Sequence, residues 1–302
     1  MICQMNFVKS DGTEARPNYI MSFTFDKDAY TPYTRFSAEF VNRNDPFPDD
    51  CYAVKLYLGG KLIHFGMADT YRITKTDNCR RGTISSRGYT SMLTENQIPP
   101  GLYTGMTINK LFNSFCALPN VSHESNYESS YIYVRNGSTM WDGITNLGYK
   151  LYGRYPYIRG ANNVAISLPE SPKSLELERP EIFEYGSFVD TRKLASDFHM
   201  KDMDGSYKTY TLRESESVNR DIVRYRYFDL DQRFLNDPDM ACEYRNMLAK
   251  SGLRRRFLTY HEYKGEDLYD HVTGGNITDK AILGIRITGS SKGIFTRLET
   301  EY

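Results

Sequence analysis

Apolar and polar residues alternate along most of residues 1–90, in short runs separated by turn residues. This period of two is typical of antiparallel strands that are buried on one face. The alternating runs are residues 19–41, with a turn near residues 26–32, and residues 53–58, 61–65, 69–74 and 80–93. Gly59 and Gly60 supply a hairpin turn with positive φ, whereas Gly66 is predicted to interrupt its strand. The recurrence of the turns predicts a small barrel or sandwich.

The period becomes helical after the stretch NQIPPGLYTG. In MTINKLFNSFCALP the apolar residues recur at helical spacing, with Thr107 as the predicted N-cap. STMWDGITNLGYKLYG repeats this arrangement, with Ser138 as the predicted N-cap and Gly148 or Gly153 as its end. A short strand, SYIYVRN, lies between the two helices, and a hairpin across PYIRG and NVAISLP follows them. Residues 91–163 are therefore predicted to form an inserted α/β domain.

The segment Pro169–Gly186 is rich in proline and charge, and it is predicted to be an irregular linker. Beyond it, FHMKDMDGSYKTYTLRE predicts a hairpin around Asp204 and Gly205, and VNRDIVRYRYFDLD predicts another strand. These elements begin a second β unit that extends to the last residue given.

One helix and a closing strand pair complete this second unit. DPDMACEYRNMLAKSG predicts the helix, with Asp237 as its cap, Pro238 at its first position and Gly252 at its end. The closing pair is predicted over Ile282–Thr288 and Ile294–Glu299. The fold class expected from the whole pattern is α+β and mainly β.

Composition narrows the classes of function. The 302 residues include 38 basic and 38 acidic side chains, so the formal net charge is zero. A neutral chain has no long-range electrostatic attraction for nucleic acid or an anionic membrane. The 25 tyrosines suit strands and surfaces that are half-buried in an assembly. The five cysteines have no metal-type or redox-type spacing, which favours reduced thiols in a cytoplasm. Neither a signal peptide nor a membrane-spanning run is apparent in the sequence.

The sequence predicts no catalytic, cofactor-binding or metal-binding residue. The histidines form no metal-ligand pair on a helix face; they are His64, His123, His199, His261 and His271. HExxH, Walker, GxGxxG and GxSxG motifs do not occur. DMDG and DLDQ lack the remaining ligands of an EF-hand, which favours a hairpin turn and a solvated loop. Because a glycosidase pair is positioned by the fold, carboxylates of that kind stay an open alternative.

Two basic stretches, RRG at residues 80–82 and LRRRFL at residues 253–258, have aromatic neighbours that could stack single-stranded nucleic acid. Alternate residues of a strand face opposite sides, so three consecutive arginines cannot all face one groove. Solvated faces or salt bridges at a subunit contact are therefore the favoured interpretation.

The order of several motifs carries a family resemblance. They are VKLYLGGKLIHFGMADTYRITKTDNCRRGTISSRGYTSML, YTGMTINKLFNSFCA, STMWDGITNLGYKLYGRYPYI, MACEYRNMLAKSGLRRRFLTYHEYKG and the closing GIFTRLETEY. Together they resemble the baseplate hub protein of contractile phage tails and phage-tail-like particles, whose fold also begins the spike proteins of type VI secretion. The resemblance implies two tail-tube-like β-barrel domains plus an inserted α/β domain. It divides the chain into residues 1–90 with a returning segment 164–195, residues 91–163, and residues 196–302.

The same resemblance implies a structural protein that is not an enzyme and needs no cofactor. Hubs of this kind are homotrimers whose pseudo-sixfold ring joins the hexameric tail tube to a trimeric spike. The implied partners are the tail tube protein, the central spike protein and a baseplate wedge or LysM-type tail protein, with no specific nucleic acid and no membrane insertion. The implied location is the baseplate of a virion, tailocin or other contractile injection system, assembled in the bacterial host cytoplasm. A tail-tip hydrolase of cell wall or carbohydrate is the alternative, and a binder of single-stranded nucleic acid is a third.

Overall fold

The computed structural model describes residues 1–42, 50–76, 79–234 and 238–302, and the chain is mainly β. The strands are β1 (Cys3–Val8), β2 (Glu14–Ala15), β3 (Tyr19–Asp28), β4 (Arg35–Asn42), β5 (Ala53–Leu58), β6 (Lys61–Thr76), β7 (Cys79–Gly88), β8 (Gly101–Met106), β9 (Ser122–His123), β10 (Ser130–Val134), β11 (Tyr157–Arg159), β12 (Asn163–Ala165), β13 (Ser174–Glu176), β14 (Ile182–Val189), β15 (Asp197–Met200), β16 (Tyr210–Arg213), β17 (Tyr225–Phe228), β18 (Arg254–His261), β19 (His271–Gly274), β20 (Ile277–Ser290) and β21 (Gly293–Glu301). The helices are α1 (Met92–Glu95), α2 (Ile108–Leu111), α3 (Met140–Tyr152), α4 (Ser215–Val218) and α5 (Asp239–Lys250). Within these described ranges, no helix has the length and apolar character needed to cross a membrane.

One large sheet joins the two ends of the chain. Its strand order is β14-β18-β21-β20-β3-β4-β7-β6-β5-β1-β2, with β19 paired to β20 and β13 to β19. The link between the N-terminal and C-terminal strands is β3 with β20, where Phe23–Asp28 run antiparallel to Gly284–Gly289. Strands of both predicted β units thus form one continuous sheet, whereas β15, β16 and β17 of the second unit form a separate one.

A single apolar cluster lies beneath both parts of this sheet. Phe7, Phe40 and Leu56 from the N-terminal strands belong to the same buried cluster as Leu258 and Ile285 from the C-terminal strands. Because each strand alternates, the side chains between these residues point to the opposite face. The number of domains and their boundaries stay predictions, since the two strand sets share hydrogen bonds and a core.

Strand β6 continues through Gly66, so the predicted interruption there is wrong. Its first half pairs with β5 as far as Met67, and residues from Gly66 onward pair with β7. At Gly66 the backbones approach closely, since a Cβ there would lie 2.2 Å from the carbonyl oxygen of Arg87. A glycine in a strand often marks such a close approach. The predicted turn at Gly59 and Gly60 is confirmed, with φ of 55° and 80°.

Residues 91–166 pack around their own apolar cluster, which includes Trp141, Ile144 and Leu147 of α3. Thr107 caps α2 as predicted, accepting a hydrogen bond from the backbone N–H of Lys110. The predicted cap of α3, Ser138, is wrong by one residue, because Thr139 forms a reciprocal capping box with Asp142. α3 ends at Gly153, whose φ of 63° is left-handed.

The predicted irregular linker, Pro169–Gly186, contains structure. β13 pairs with β19, and β14 forms the edge of the large sheet by pairing with β18. The strands of the segment expected to return to the N-terminal domain therefore hydrogen-bond to C-terminal strands. The prolines mislead here because Pro169, Pro172 and Pro180 all lie in the connections outside β13 and β14.

Residues 197–250 form a smaller unit. β15 pairs antiparallel with β16, as the predicted hairpin around Asp204 and Gly205 requires, and parallel with β17. Phe198 and Met200 of β15 pack with Ala241 and Tyr244 of α5 in one buried cluster. The predicted helix cap, Asp237, lies outside the described residues, and the structure has Pro238 in the capping position.

His64 is fully buried under the large sheet, between the hydroxyls of Thr34 (2.8 Å) and Ser86 (2.9 Å). Burial lowers the pKa of this imidazole to about 3, so the ring is neutral in the fold. It fills a polar position of the core rather than a surface site.

Acidification is expected to destabilise the fold through His64. Below about pH 6.5 the unfolded imidazole binds a proton that the native ring, with its depressed pKa, does not bind. The free energy of unfolding should therefore fall by about 1.4 kcal/mol for each pH unit between about pH 6 and about pH 4. Urea unfolding of the wild type and of His64→Gln would measure this, since the variant should lose that part of the slope. Equal pH slopes for the two proteins would contradict the assignment.

Candidate interaction surfaces

The carboxylate motifs that left a hydrolase open are engaged in local structure. In DMDG, Asp202 accepts hydrogen bonds from the backbone N–H groups of Asp204 and Ser206, which fixes the hairpin turn. In DLDQ, the buried Asp231 pairs with Arg233 and lies 3.4 Å from Arg245. Across the described ranges of the chain, no group of three or more His, Cys, Asp or Glu side chains could hold a metal ion.

The other histidines lie apart from one another. His123 contacts the backbone carbonyl of Glu124, and His271 contacts Asp279 at 2.7 Å. His261 packs against Phe295 with ring centroids 4.5 Å apart, and His199 stacks on Tyr227.

Two arginines of β7, Arg81 in the first basic stretch and Arg87 beyond it, form ion pairs within the chain. Arg87 reaches both carboxylate oxygens of Asp69 at 2.9 Å and one of Glu95 at 2.7 Å. These two carboxylates raise the pKa of Arg87, so its charge is fixed. Arg81 pairs with Glu39 on the neighbouring strand β4 at 2.5 Å. This stretch is therefore a charged face of the sheet and has no cradle for phosphate.

The second basic stretch alternates as the period of a strand requires. Arg254 and Arg256 lie on one face, where they reach Glu216 and the backbone carbonyl of Asn276. Arg255 points to the opposite face and is buried, with its guanidinium 2.5 Å from Asp28 and 3.1 Å from Glu299. The expectation that the three arginines cannot share one groove is thus confirmed.

A buried ion pair joins the large sheet to the α/β insert. Lys27 of β3 pairs with Asp267, and both side chains are almost inaccessible to solvent. Both also hold Gly160 of the insert hairpin: Lys27 donates to its carbonyl at 2.8 Å, and Asp267 accepts from its N–H at 2.7 Å. Burial lowers the pKa of Lys27. Burial is also the largest influence on Asp267 and acts to raise its pKa, but the charge and hydrogen bond of Lys27 and the backbone N–H groups of Gly160 and Leu268 together lower it.

The face of the large sheet away from the apolar cluster is polar across its centre. Neighbouring strands place small polar and charged side chains side by side there: Thr24, Asp26, Ser37, Glu39, Thr83, Ser85, Arg286 and Thr288. Arg286 bonds Asp26 at 2.5 Å across the β3–β20 link. A cleft of about 340 Å³ opens on this link, and charged residues including Asp28 and Arg255 line it.

Among the described residues, two of the strand segments with an unpaired edge in the large sheet border its polar face. The edge segment β14 pairs only with β18, and it carries Phe183, which is 70% exposed, and the exposed Glu184. At the other end of the polar face, residues 70–75 of β6 pair only with β7. This β6 segment carries the exposed cations Arg72 and Lys75. An exposed sheet edge is a surface on which another strand can add.

The fold is that of solved phage tail proteins. A 43 kDa tail protein of prophage MuSo2 from Shewanella oneidensis is 14% identical, with a TM-score of 0.71 over 99% of this chain and 98% of that one. A tail protein from Neisseria meningitidis MC58 is 16% identical, with a TM-score of 0.69 over 100% and 97% of the two chains.

The fold also extends to type VI secretion. An Escherichia coli component of that system, described as similar to the T4 tail proteins gp27 and gp5, is 8% identical with a TM-score of 0.53 over 93% of this chain and 73% of that one. No protein-family profile matches the sequence, and no curated protein is significantly similar to it. At these identities the likeness establishes the fold alone.

Sequence reasoning missed three of these features, one of them buried and two at strand edges. The Lys27–Asp267 pair gave no signal, because its residues are 240 positions apart. The Glu and aromatic residues of EIFEYG could have indicated the edge strand β14. The prolines that precede this stretch suggested a linker instead. Residues 70–75 of β6 have an unpaired edge within the described part of the chain because β5 pairs with β6 only as far as Met67. The sequence does not show where that pairing ends.

Proposed function

We propose that this protein is a structural baseplate hub at the tip of a phage tail or a phage-tail-like particle. The observation that carries the proposal is the near full-length fold shared with two solved phage tail proteins. A continuous sheet with one polar face suits a protein that forms part of a tube wall, since such a wall has a solvated lumen on one side. This role requires no catalysis.

The hub is proposed to be a homotrimer. The N-terminal and C-terminal strand sets stand side by side, so three copies would present six such sets to a hexameric tube on one side and a trimeric spike on the other. The unpaired edges support this arrangement, because a head-to-tail contact between identical chains closes into a ring when the rotation fits. In this ring, the acidic, aromatic segment β14 of one copy adds to the basic segment at residues 70–75 of the next.

The partners proposed are the tail tube protein, a central spike protein and a wedge or LysM-type tail protein. One neighbour in fold is part of a PdpA–VgrG complex from Francisella, with a TM-score of 0.51; the chain covers 52% of that longer protein. The proposed location is the baseplate of the particle, assembled in the host cytoplasm. Co-expression with the tail tube protein and the spike protein of the same particle tests this role, and an affinity-tagged hub is expected to capture both. Capture of neither would argue against a hub.

A charge reversal tests the proposed ring. Glu184→Lys would place a lysine across from Arg72, which lies on the same face of the sheet, and it should weaken trimer formation roughly tenfold. Like charges across paired strands destabilise each contact by about 0.2–1 kcal/mol, and the ring has three such contacts. Arg72→Glu should weaken it similarly, and the double variant should recover most of the loss. Light scattering over a concentration series would measure the mass against the 35.0 kDa chain.

Glu170→Lys is the matched control, because Glu170 is also exposed but lies outside β14. If the wild-type protein is monomeric at every concentration, the proposed contact is wrong. Capture of the spike protein would still support the hub. A double variant no better than either single variant would indicate that these edges do not meet.

A further inference from the structure

The small sheet of β15, β16 and β17 has one face packed on α5 and one face open. The open face carries an aromatic ledge, which consists of His199, Tyr207, Tyr225 and Tyr227. Tyr225 and Tyr227 are 56% and 60% exposed, although tyrosines on strands usually cover a core with one ring face. The ledge belongs to none of the surfaces assigned above to the tube, the spike or the ring contact.

The rings of the ledge hold one another in fixed orientations. His199 lies against Tyr227 with centroids 4.7 Å apart and planes only 12° from parallel, and against Tyr225 at 6.4 Å. Tyr207 packs edge-on against Tyr227 at 5.4 Å. Two exposed phenol rings are thus supported by neighbouring rings and by a hydrogen-bonded sheet, so little conformational entropy remains to be lost on binding.

Polar side chains accompany each exposed ring in register. Tyr227 of β17 pairs with His199 of the central strand β15, and Tyr225 pairs with Asp197. On the other side of β15, Thr211 and Arg213 of β16 pair with the same two residues, so they lie two strands from the tyrosines. Within the described residues, the side chains of Asp197, Thr211 and Arg213 make no hydrogen bond or ion pair. The open face therefore offers the carboxylate of Asp197 beside Tyr225, and a hydroxyl and a guanidinium on the far strand of the same face, which supplies both donors and acceptors.

We propose that the aromatic ledge binds a neutral oligosaccharide. The C–H face of a pyranose ring is apolar and can stack on a phenol, while its hydroxyls project sideways toward groups such as Thr211, Asp197 and Arg213. The charges of Asp197 and Arg213 cancel, so the face matches an uncharged ligand and lacks the cationic excess that nucleic acid requires. An apolar protein surface would leave these unpaired polar groups buried without partners, which costs free energy.

Titration of the full chain with neutral hexasaccharides of β-1,4-linked N-acetylglucosamine and of α-1,4-linked glucose tests the proposal. Calorimetry is expected to give saturable binding to at least one of them, with a Kd on the order of 1 mM or tighter. The double variant Tyr225→Ala/Tyr227→Ala should bind at least about tenfold more weakly, because it removes both of the exposed rings on which the saccharide would stack. Tyr225→Phe/Tyr227→Phe keeps the rings and should retain most of the affinity.

Tyr127→Ala is the matched control, because Tyr127 is 84% exposed in the insert and should leave binding unchanged. Urea midpoints equal to that of the wild type would show that the variants are folded. Absence of saturable binding to both saccharides, or equal affinity of the double alanine variant, would overturn the proposal. If the wild type binds neither saccharide and the double alanine variant also fails to enter particles, that pair of results would assign the ledge to a protein contact instead. The hub proposal does not depend on any of these outcomes.

Discussion

Asp267→Ala is expected to lower the free energy of unfolding by about 3–5 kcal/mol, the cost of leaving one member of a buried ion pair without its partner. The Lys27 ammonium would stay in a site that is nearly closed to solvent, and the N–H of Gly160 would lose its acceptor. Because Gly160 belongs to the insert hairpin, the variant should also loosen the contact between the insert and the large sheet. Urea denaturation would measure the loss, and hydrogen exchange would show where protection falls.

Two comparisons separate the buried charge from a general effect of mutation. Glu39→Gln removes the exposed pair with Arg81, and it should cost no more than about 1 kcal/mol. Lys27→Met/Asp267→Leu removes both charges, and it should be more stable than Asp267→Ala because apolar groups of similar volume often replace a buried pair at little cost. An Asp267→Ala protein within about 1 kcal/mol of the wild type would mean that the pair is solvated in solution.

Gly66→Ala is expected to cost about 3 kcal/mol or more, at the upper end of the penalties for overpacking. The new Cβ would lie 2.2 Å from the carbonyl oxygen and 2.6 Å from the carbonyl carbon of Arg87, and both are backbone atoms of β7. No side-chain rotation can relieve that overlap, so the two strands must move apart where β6 passes from β5 to β7. A shift in the urea midpoint at constant slope would record the loss as one of stability.

Gly101→Ala is the matched control. Gly101 also lies in a strand, but the nearest atoms to a Cβ there are 3.6 Å away in the ring of Tyr103, which is ordinary contact. This substitution should change stability by less than about 1 kcal/mol, and restriction of the unfolded chain could make it slightly stabilising. Similar losses for the two variants would show that the close approach at Gly66 relaxes freely.

Local features of the chain were predictable because their physical causes are local. Gly59 and Gly60 form a hairpin turn, Thr107 caps a helix, and the arginines at 254–256 alternate between faces, each for reasons confined to a few neighbouring residues. Two predictions, the cap of α3 and the irregular linker, were wrong because neighbouring residues changed the outcome. Ser138 was displaced as a cap by Thr139, whose partner Asp142 completes a capping box, and the charged, proline-rich segment proved to hold an edge strand.

The sequence by itself determined the mainly β character, most strand and helix positions and the absence of recognisable catalytic motifs. Only the tertiary structure decided that β3 pairs with β20, that Lys27 meets Asp267, and which strand edges stay open. The physical reason is that alternation fixes which face a residue takes but not which strand lies beside it. Pairing between residues some 260 positions apart depends on the closure of every intervening loop and on the shared core, and no short stretch of sequence encodes either.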